Sequence, residues 1–258
     1  MNKIEFMIRE LCKLNGFVPR IPLDESEQKA LLKILMIRSS PGKLSDQYYE
    51  YESVFIRESI NNRESINVES INDRLTDNID IYKGDITTIK ADAIVNAANE
   101  KLLGCFIPGH KCIDNAIHLS AGLGLRNECY EIMRYQGTDE SVGQAKITGA
   151  YNLPSNYVVH TVGPNLNEAL SVPFDILNEQ LRSCYISILK AVERHKEIKT
   201  LVFCSISTGV YGFPIEVASK IAMDTIEQYL AEHEHCLEKV VINVFSKEDY
   251  DVYKKNQR

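Results

Sequence analysis

The sequence predicts a three-layer α/β/α protein with a mixed, largely parallel central sheet, preceded by an N-terminal helical extension. From residue 79 onward, short segments with strand-like patterns alternate with longer helical ones. Before residue 79 the apolar residues recur at helical spacing instead. Alternating strands and helices form a sheet covered on both faces. We therefore divide the chain into residues 1–78, a helical extension with a polar connector, and residues 79–258, the α/β domain.

The extension is predicted to contain three helices. The first has Ile4, Met7, Ile8, Leu11 and Leu14 at helical spacing and ends near Gly16. The second begins near Asp24 or Ser26 and runs through Leu35, and the third covers residues 44–57. The tetrapeptide Glu-Ser-Ile-Asn then occurs at 58–61, 64–67 and 69–72. Its spacing fits neither a heptad nor a strand, so we interpret it as a polar connector without assigned function.

The elements of the domain follow from the same patterns. Strands are predicted at 79–83, 93–95, 157–162, 200–205 and 239–245, and helices at 113–135, 174–195 and 215–232. Ligands of parallel sheets bind beyond the carboxyl ends of the strands. Because the polar and glycine-containing motifs each follow a strand, we expect them to converge on one cleft.

Composition narrows the classes of partner and compartment. The net charge is −7, with 11 basic and 13 acidic residues in 1–78 and 18 and 23 in the remainder. Neither part is a basic arm, which argues against nucleic acid as a partner. No apolar run reaches the roughly 18 residues that span a bilayer. Seven cysteines without a signal peptide are typical of reduced thiols, so we expect a cytoplasmic protein.

Cys105, His110 and Cys112 form a C-x4-H-x-C cluster. Two thiolates and an imidazole suit Zn²⁺, and three ligands leave the fourth tetrahedral position open. The alternative is that these are ordinary buried cysteines and a satisfied histidine. Their spacing around Pro108 and Gly109, which let the loop fold back, favours one zinc ion per chain. The order of metal affinities alone does not separate zinc from copper.

A second motif is the loop at 205–213, between a predicted strand and a predicted helix. Gly209 and Gly212 let backbone N–H groups approach an anion, and the helix N-terminus adds a favourable dipole. By itself such a loop is weak evidence, because a plain tight turn is its more common use.

Four motifs in order resemble those of a macrodomain, the ADP-ribose-binding fold, over residues 79–246. They are Gly-Asp-Ile-Thr at 84–87, Ala-Asp-Ala-Ile-Val-Asn-Ala-Ala-Asn at 91–99, Val-His-Thr-Val-Gly-Pro at 159–164 and Ser-Ile-Ser-Thr-Gly-Val-Tyr-Gly-Phe-Pro at 205–214. The cysteines and histidine after the Asn-Ala-Ala-Asn run resemble the zinc-containing macrodomains of bacteria and fungi. Members of that subfamily are ADP-ribosyl hydrolases, often encoded beside a sirtuin-like ADP-ribosyltransferase.

The resemblance implies a set of ligand contacts. Asp85 would accept a hydrogen bond from the adenine amino group, although a turn aspartate is the structural alternative. The loop from Ser207 to Phe213 would hold the diphosphate, and Asn99 the distal ribose. The full substrate-binding set is Asp85, Ile86, Asn96, Asn99, Asn115, Ser207, Thr208, Gly209, Val210, Tyr211, Gly212 and Phe213. For Asn96 a satisfied buried amide, and for Phe213 or Tyr211 a core aromatic, remain alternatives.

The implied function is zinc-dependent removal of mono-ADP-ribose from a modified protein, with Asn99 and Asp114 as catalytic residues. For Asp114 a favourable charge at a helix N-terminus is the structural alternative. The subfamily further implies a lipoyl-carrier protein as substrate and a sirtuin-like transferase as the opposing enzyme. A non-enzymatic ADP-ribose reader and an O-acetyl-ADP-ribose deacetylase are the competing functions. The metal cluster favours an enzyme, because a reader has no use for an open metal position.

Overall fold

The N-terminal segment folds as three capped helices in the computed structural model, which describes residues 2–60, 62 and 64–257. These helices are α1 (Lys3–Leu14), α2 (Glu25–Arg38) and α3 (Asp46–Ser59). Each begins at a polar residue whose side chain accepts a hydrogen bond from a first-turn amide, namely Asn2, Asp24 and Ser45. The three helices predicted from the apolar spacing are therefore present.

The remaining elements alternate as expected for an α/β domain. The strands are β1 (Ile66–Asn67), β2 (Ile79–Lys83), β3 (Ile89–Lys90), β4 (Ala93–Ala98), β5 (Ala145–Gly149), β6 (Tyr157–Val162), β7 (Thr200–Cys204) and β8 (Lys239–Val244). The helices are α4 (Ile113–Ala121), α5 (Leu123–Gln136), α6 (Phe174–Glu193), α7 (Ile215–Glu232) and α8 (Lys247–Lys255).

Six strands form the central sheet in the order β2-β8-β7-β4-β6-β5. All neighbouring pairs are parallel except β5 with β6. In register, Ile94 of β4 lies opposite Val158 of β6 and Val202 of β7. Every residue of β7 is buried, and alternate residues of a strand point to opposite faces, so both faces are covered. The predicted mixed, largely parallel sheet is confirmed.

Two apolar cores hold the chain together. The larger lies around the sheet and includes Val68, Ile71 and Leu75, which precede β2 in the chain. The smaller lies among α1, α2 and α3 and takes in Leu123 at the start of α5. The N-terminal helices are therefore packed onto the domain at the junction of α4 and α5.

The prediction of one helix over residues 113–135 is wrong, because Gly122 divides this segment into α4 and α5. Gly122 has φ +89° and ψ −178°, a conformation that favours glycine. A Cβ atom there would lie 2.6 Å from Glu52 Oε2, and the same carboxylate accepts the Leu123 N–H at 3.1 and 3.2 Å. Contact with α3 thus ends α4 and starts α5, which the local sequence does not reveal.

The segment interpreted as a polar connector contains short regular structure. Within it, β1 pairs in parallel with β3, a 3₁₀ turn covers Val68–Ser70, and Val68 and Ile71 are buried. Asn61 of the first Glu-Ser-Ile-Asn copy lies outside the described residues. The strand β5 and the helix α8 are further elements that the sequence patterns did not predict.

None of the helices in the described part of the chain is both long and apolar enough to cross a membrane.

Candidate functional site

A cavity of about 360 Å³ opens at the carboxyl edge of the sheet. Its walls include residues that end or directly follow β4, β6, β7 and β8, because parallel strands finish at the same edge. The loop that leads into α4 forms a further wall. Ten of the predicted site residues line it: Asn99, Cys105, His110, Cys112, Asp114, Ser207, Thr208, Gly209, Val210 and Tyr211. The expectation that the motifs converge is therefore met for these residues.

The loop after β7 has the backbone geometry of a tight anion cradle. Ser207 and Gly212 have positive φ angles of 64° and 70°, and the Phe213 N–H donates to Ser207 O at 3.0 Å. A Cβ on Gly163 would lie 2.1 Å from Ser207 Oγ, so a side chain at that position would displace the Ser207 hydroxyl. The helix α7 starts just beyond, at Ile215, and adds its N-terminal dipole. The arrangement suits an anionic ligand.

Asn99 and Asp114 meet at one wall of this cavity. Asn99 Nδ2 lies 3.0 Å from Gly104 O and 3.4 Å from Asp114 Oδ2. Asp114 is only 4% exposed, and burial raises the pKa of its carboxyl to about 6 against the opposing hydrogen bond from Asn96. A buried carboxylate with a raised pKa is suited to accepting a proton or orienting water.

Asn96 lies behind Asp114 and does not line the cavity. It is 0% exposed, and its Nδ2 donates to Asp114 Oδ1 at 2.8 Å and lies 3.1 Å from His160 Nδ1. Burial lowers the pKa of His160 to about 3, so the ring is neutral. With Nδ1 accepting from Asn96, Nε2 carries the hydrogen and donates to Thr148 Oγ1 at 2.9 Å. The structure thus places Asn96 in contact with Asp114 and not at the cavity wall.

The three predicted metal ligands come together in space. Their ligand atoms all lie within 4.8 Å of one another. Cys112 is the N-cap of α4 and its Sγ accepts the Asn115 N–H at 3.4 Å, while Asn115 Nδ2 donates to His110 O at 3.0 Å. Asn115 therefore shapes the ligand loop and does not line the cavity. His110 Nδ1 is buried and makes no hydrogen bond within the described part of the chain. Two sulfurs and an unpartnered imidazole nitrogen fit Zn²⁺ by type and separation.

A second group of close ligand atoms, from His118, Cys129 and His160, is completely buried. His160 is already engaged with Asn96 and Thr148, and burial lowers the pKa of His118 well below its ordinary value. These side chains belong to the core behind Asp114.

The adenine end predicted from sequence lies at the end of β2. Asp85 Oδ1 accepts hydrogen bonds from Thr87 N at 3.0 Å and Thr87 Oγ1 at 2.6 Å, and Ile86 is buried. Neither residue lines the cavity. Asn243 does line it, and its Nδ2 donates to Gly84 O at 3.1 Å. Asn243 therefore links the cavity wall to the Gly84-Asp85 turn.

Two residues at the end of the glycine loop also lie outside the cavity. Phe213 is 2% exposed and stacks on Phe174 with 5.5 Å between the ring centroids. A Cβ on Gly212 would lie 3.6 Å from Asn167 Oδ1. Tyr211 lines the cavity instead, and burial raises the pKa of its hydroxyl to about 12. Of the two aromatic residues left open by the sequence, the structure places Tyr211 at the cavity.

The remaining lining residues were not predicted, and four of them carry polar or aromatic side chains of interest: Lys111, Asn243, Phe245 and Asp249. Phe245 is 80% exposed although it directly follows a buried strand, which presents an aromatic face at the rim. An aromatic residue just after an apolar strand was the available signal. This signal could be interpreted only from the structure, which shows that β8 lies beside β2.

The chain is similar to a known family and to several proteins and solved structures. Residues 95–222 match the Macro domain family. The chain is 44% identical over 212 residues to a Staphylococcus aureus protein named protein-ADP-ribose hydrolase, covering 82% of this chain and 77% of that one. A Treponema medium protein of the same name is 40% identical over 255 residues, covering 98% and 95%. Among solved structures, an Oceanobacillus iheyensis macrodomain mutant with ADPR is 39% identical with a TM-score of 0.62, covering 72% of this chain and 94% of that one.

Proposed function

This chain belongs to the macrodomain family and is a hydrolase, and on that premise we propose that it is a zinc-dependent hydrolase of mono-ADP-ribosylated protein. The observation that carries the proposal is the convergence of three groups on one cavity. These are the anion loop at 207–211, the Asn99–Asp114 pair, and the cluster Cys105, His110 and Cys112.

ADP-ribose is proposed to lie along the carboxyl edge of the sheet. The diphosphate would occupy the loop at 207–211, where backbone N–H groups and the α7 dipole favour negative charge. The adenine would lie toward the end of β8, where Phe245 offers an exposed ring face and Asp85 a carboxylate acceptor beyond Asn243. The distal ribose would then reach Asn99 and Asp114.

The chemistry assigned to the protein itself is orientation and proton transfer. Asn99, held by Gly104 O, would fix the ribose hydroxyls, since an amide both donates and accepts hydrogen bonds. Asp114, oriented by Asn96, would accept a proton from water as the water oxygen bonds to the anomeric carbon. The protein side chain would leave with the electron pair of the broken bond and take up a proton. When bound, zinc would supply a Lewis acid at the ribose end of the cavity, held by Cys105, His110 and Cys112.

The proposed substrate is an ADP-ribosylated protein, with a lipoyl-carrier protein as the specific candidate and a sirtuin-like transferase as the enzyme that modifies it. The support for these partners is the resemblance of the cysteine- and histidine-containing loop to that of the zinc-containing subfamily. The exposed position of Ile107 in this loop leaves room for a protein chain beside the ligand cluster.

Single-turnover release of ADP-ribose from an automodified protein tests the function. We expect release by the wild type, and a loss of about 100-fold or more after metal removal or in Cys112→Ala, with ADP-ribose affinity nearly unchanged. O-acetyl-ADP-ribose is included as a competing substrate. Wild-type turnover by a folded, zinc-free Cys112→Ala protein would contradict zinc dependence. Binding without any release would leave a reader as the function.

A further inference from the structure

Arg126 of α5 is a buried cation whose hydrogen bonds reach two separate parts of the chain. Its side chain is 2% exposed. Nη1 donates to Met36 O at 2.8 Å and to Ser39 O at 2.7 Å, at the end of α2, while Nε donates to Leu103 O at 2.9 Å. Burying a guanidinium is costly unless its donors are satisfied. Here the satisfying groups are carbonyls of the N-terminal helices and of the loop before Cys105.

That loop has a backbone conformation that needs support. Leu102, Gly104 and Phe106 all have left-handed φ angles, of 58°, 83° and 56°. For a residue with a side chain this conformation is energetically unfavourable. Two of the three positions carry side chains, so contacts outside the loop must stabilise it. Cys105, the first metal-ligand candidate, lies between Gly104 and Phe106.

Arg126 supplies those contacts on several sides. It binds Leu103 O, and its Cζ lies 4.6 Å from the centre of the Phe106 ring, a cation–π arrangement. A Cβ on Gly104 would lie 3.3 Å from Nη2, so the guanidinium also lies close to the loop backbone there. The residues on both sides of Cys105 therefore rest against one side chain.

The N-terminal helices are attached to α5 at a second polar point. Glu52 of α3 accepts the Leu123 N–H and also the Tyr48 hydroxyl, the latter at 3.0 Å. The positive charge of Arg126 favours the ionised form of both Glu52 and Asp114, against the larger effect of burial. The start of α5 is thus fixed by α3, and its first turn carries Arg126 toward the loop.

We propose that Arg126 is a positioning residue that holds the Cys105 loop against the N-terminal helices, so that these helices set the geometry of the ligand cluster. A lysine would keep the charge but lose the planar fork that reaches carbonyls of both segments. The proposal rests on the proposed function in one respect, which is the assignment of Cys105, His110 and Cys112 as a zinc site. The attachment of the loop can be measured without metal.

The first measurement is alkylation of the metal-free full chain by iodoacetamide, followed at peptide level by mass spectrometry. In Arg126→Lys we expect Cys105 to react about 3-fold faster or more, because local opening of the loop becomes easier. Cys236, partly exposed and remote in sequence, is the internal reference. Arg182→Lys is the matched control, since Arg182 contacts Thr225 on α7 instead.

The second measurement is titration with Co²⁺, whose visible spectrum reports the ligand geometry. Arg126→Lys should weaken Co²⁺ binding by about 10- to 100-fold, as for other residues that support metal ligands, and shift the spectrum. ADP affinity should change less than about 3-fold, because ADP lacks the distal ribose that is proposed to meet Asn99, whose amide is held by Gly104 O of this loop. Unchanged Cys105 alkylation together with an unchanged spectrum would overturn the proposal.

Two outcomes need a further comparison. If Arg126→Lys fails to fold, the alkylation rate of Cys105 is measured in Phe106→Leu instead, because this variant removes the ring that lies against the guanidinium and leaves Arg126 in place. Faster Cys105 alkylation in Phe106→Leu supports the proposal, and an unchanged rate overturns it. If the wild type binds no Co²⁺, the zinc assignment fails and the alkylation comparison alone decides the role of Arg126.

Discussion

The carboxylate of Asp114 is held by amide groups that approach both of its oxygens. Asn96 Nδ2 lies 2.8 Å from Oδ1 and Asn99 Nδ2 lies 3.4 Å from Oδ2. Asn96 is itself held by His160, so the orientation of Asp114 is set before any ligand arrives. Preorganised groups of this kind lower the cost of reaching a transition state.

Asp85 offers the sharpest test at the scale of one residue. Asp85→Ala should weaken ADP-ribose binding by about 1.5–3 kcal/mol, or about 10- to 150-fold, if its carboxylate accepts a hydrogen bond from adenine. Calorimetry measures the affinity. Asp85→Asn keeps an oxygen for the Thr87 N–H, so it separates the loss of charge from the loss of the turn.

Equal affinity of wild type and Asp85→Ala would remove Asp85 from the adenine site. A loss in Asp85→Ala that Asp85→Asn fully restores would assign the effect to the turn geometry around Thr87.

Elements show how far local sequence decides conformation. The tetrapeptide Glu-Ser-Ile-Asn occurs in three different structures among the described residues. Its first two residues end helix α3 in the first copy, its last two form strand β1 in the second, and its first two lie in a 3₁₀ turn in the third. Ile71 of the third copy is buried, whereas Ile66 of the second is only partly so. Identical residues therefore adopt different structures, because the neighbours that they pack against differ.

The break between α4 and α5 depends on Gly122. Gly122→Ala should lower the free energy of unfolding by about 2–4 kcal/mol, because the residue has φ +89° and a Cβ would displace the Glu52 carboxylate from the start of α5. Urea denaturation measures the change.

Gly137→Ala is the matched control for this variant. Gly137 ends α5 with φ +76°, but a Cβ there would meet no atom within 4 Å. It should therefore cost only the backbone term, about 1–2 kcal/mol. Equal losses in the two variants would show that the Glu52 contact adds nothing at the break.

At the scale of the whole molecule, buried polar contacts join the N-terminal helices to the domain. Burial raises the pKa of Glu52 to about 7, although the Leu123 amide, Tyr48 and Arg126 oppose the rise. Because the folded pKa lies above the ordinary value of 4.5, the folded state binds this proton more tightly than the unfolded state does.

The raised pKa of Glu52 sets the sign of the pH dependence of stability. The stability of the wild type relative to Glu52→Gln should be greatest below about pH 4.5, fall as the pH rises to about 7, and then level off. The fall should be on the order of 3 kcal/mol. Denaturation curves across this range measure it, with Glu50→Gln removing an exposed carboxylate of the same helix as control. A difference that stays constant or grows with pH would contradict the assignment.

The sequence by itself determined the features that depend on neighbouring residues. Helices and most strands followed from apolar periodicity, and the order of strands and helices implied the parallel sheet. Cys105, His110 and Cys112 were recognisable because three candidate metal ligands within eight residues are local information. The anion loop was recognisable for the same reason, since its glycines and the following helix adjoin in the chain.

Tertiary structure alone decided which of these residues share the cavity. Asn96 and Asn99 are three positions apart, yet one supports Asp114 from the core and the other lines the cavity, because burial depends on what packs behind β4. The contacts of Arg126 with Met36 and Ser39, and of Glu52 with Leu123, join residues more than 70 positions apart. No periodicity or spacing encodes such pairs, because they arise only when the separately formed layers pack together.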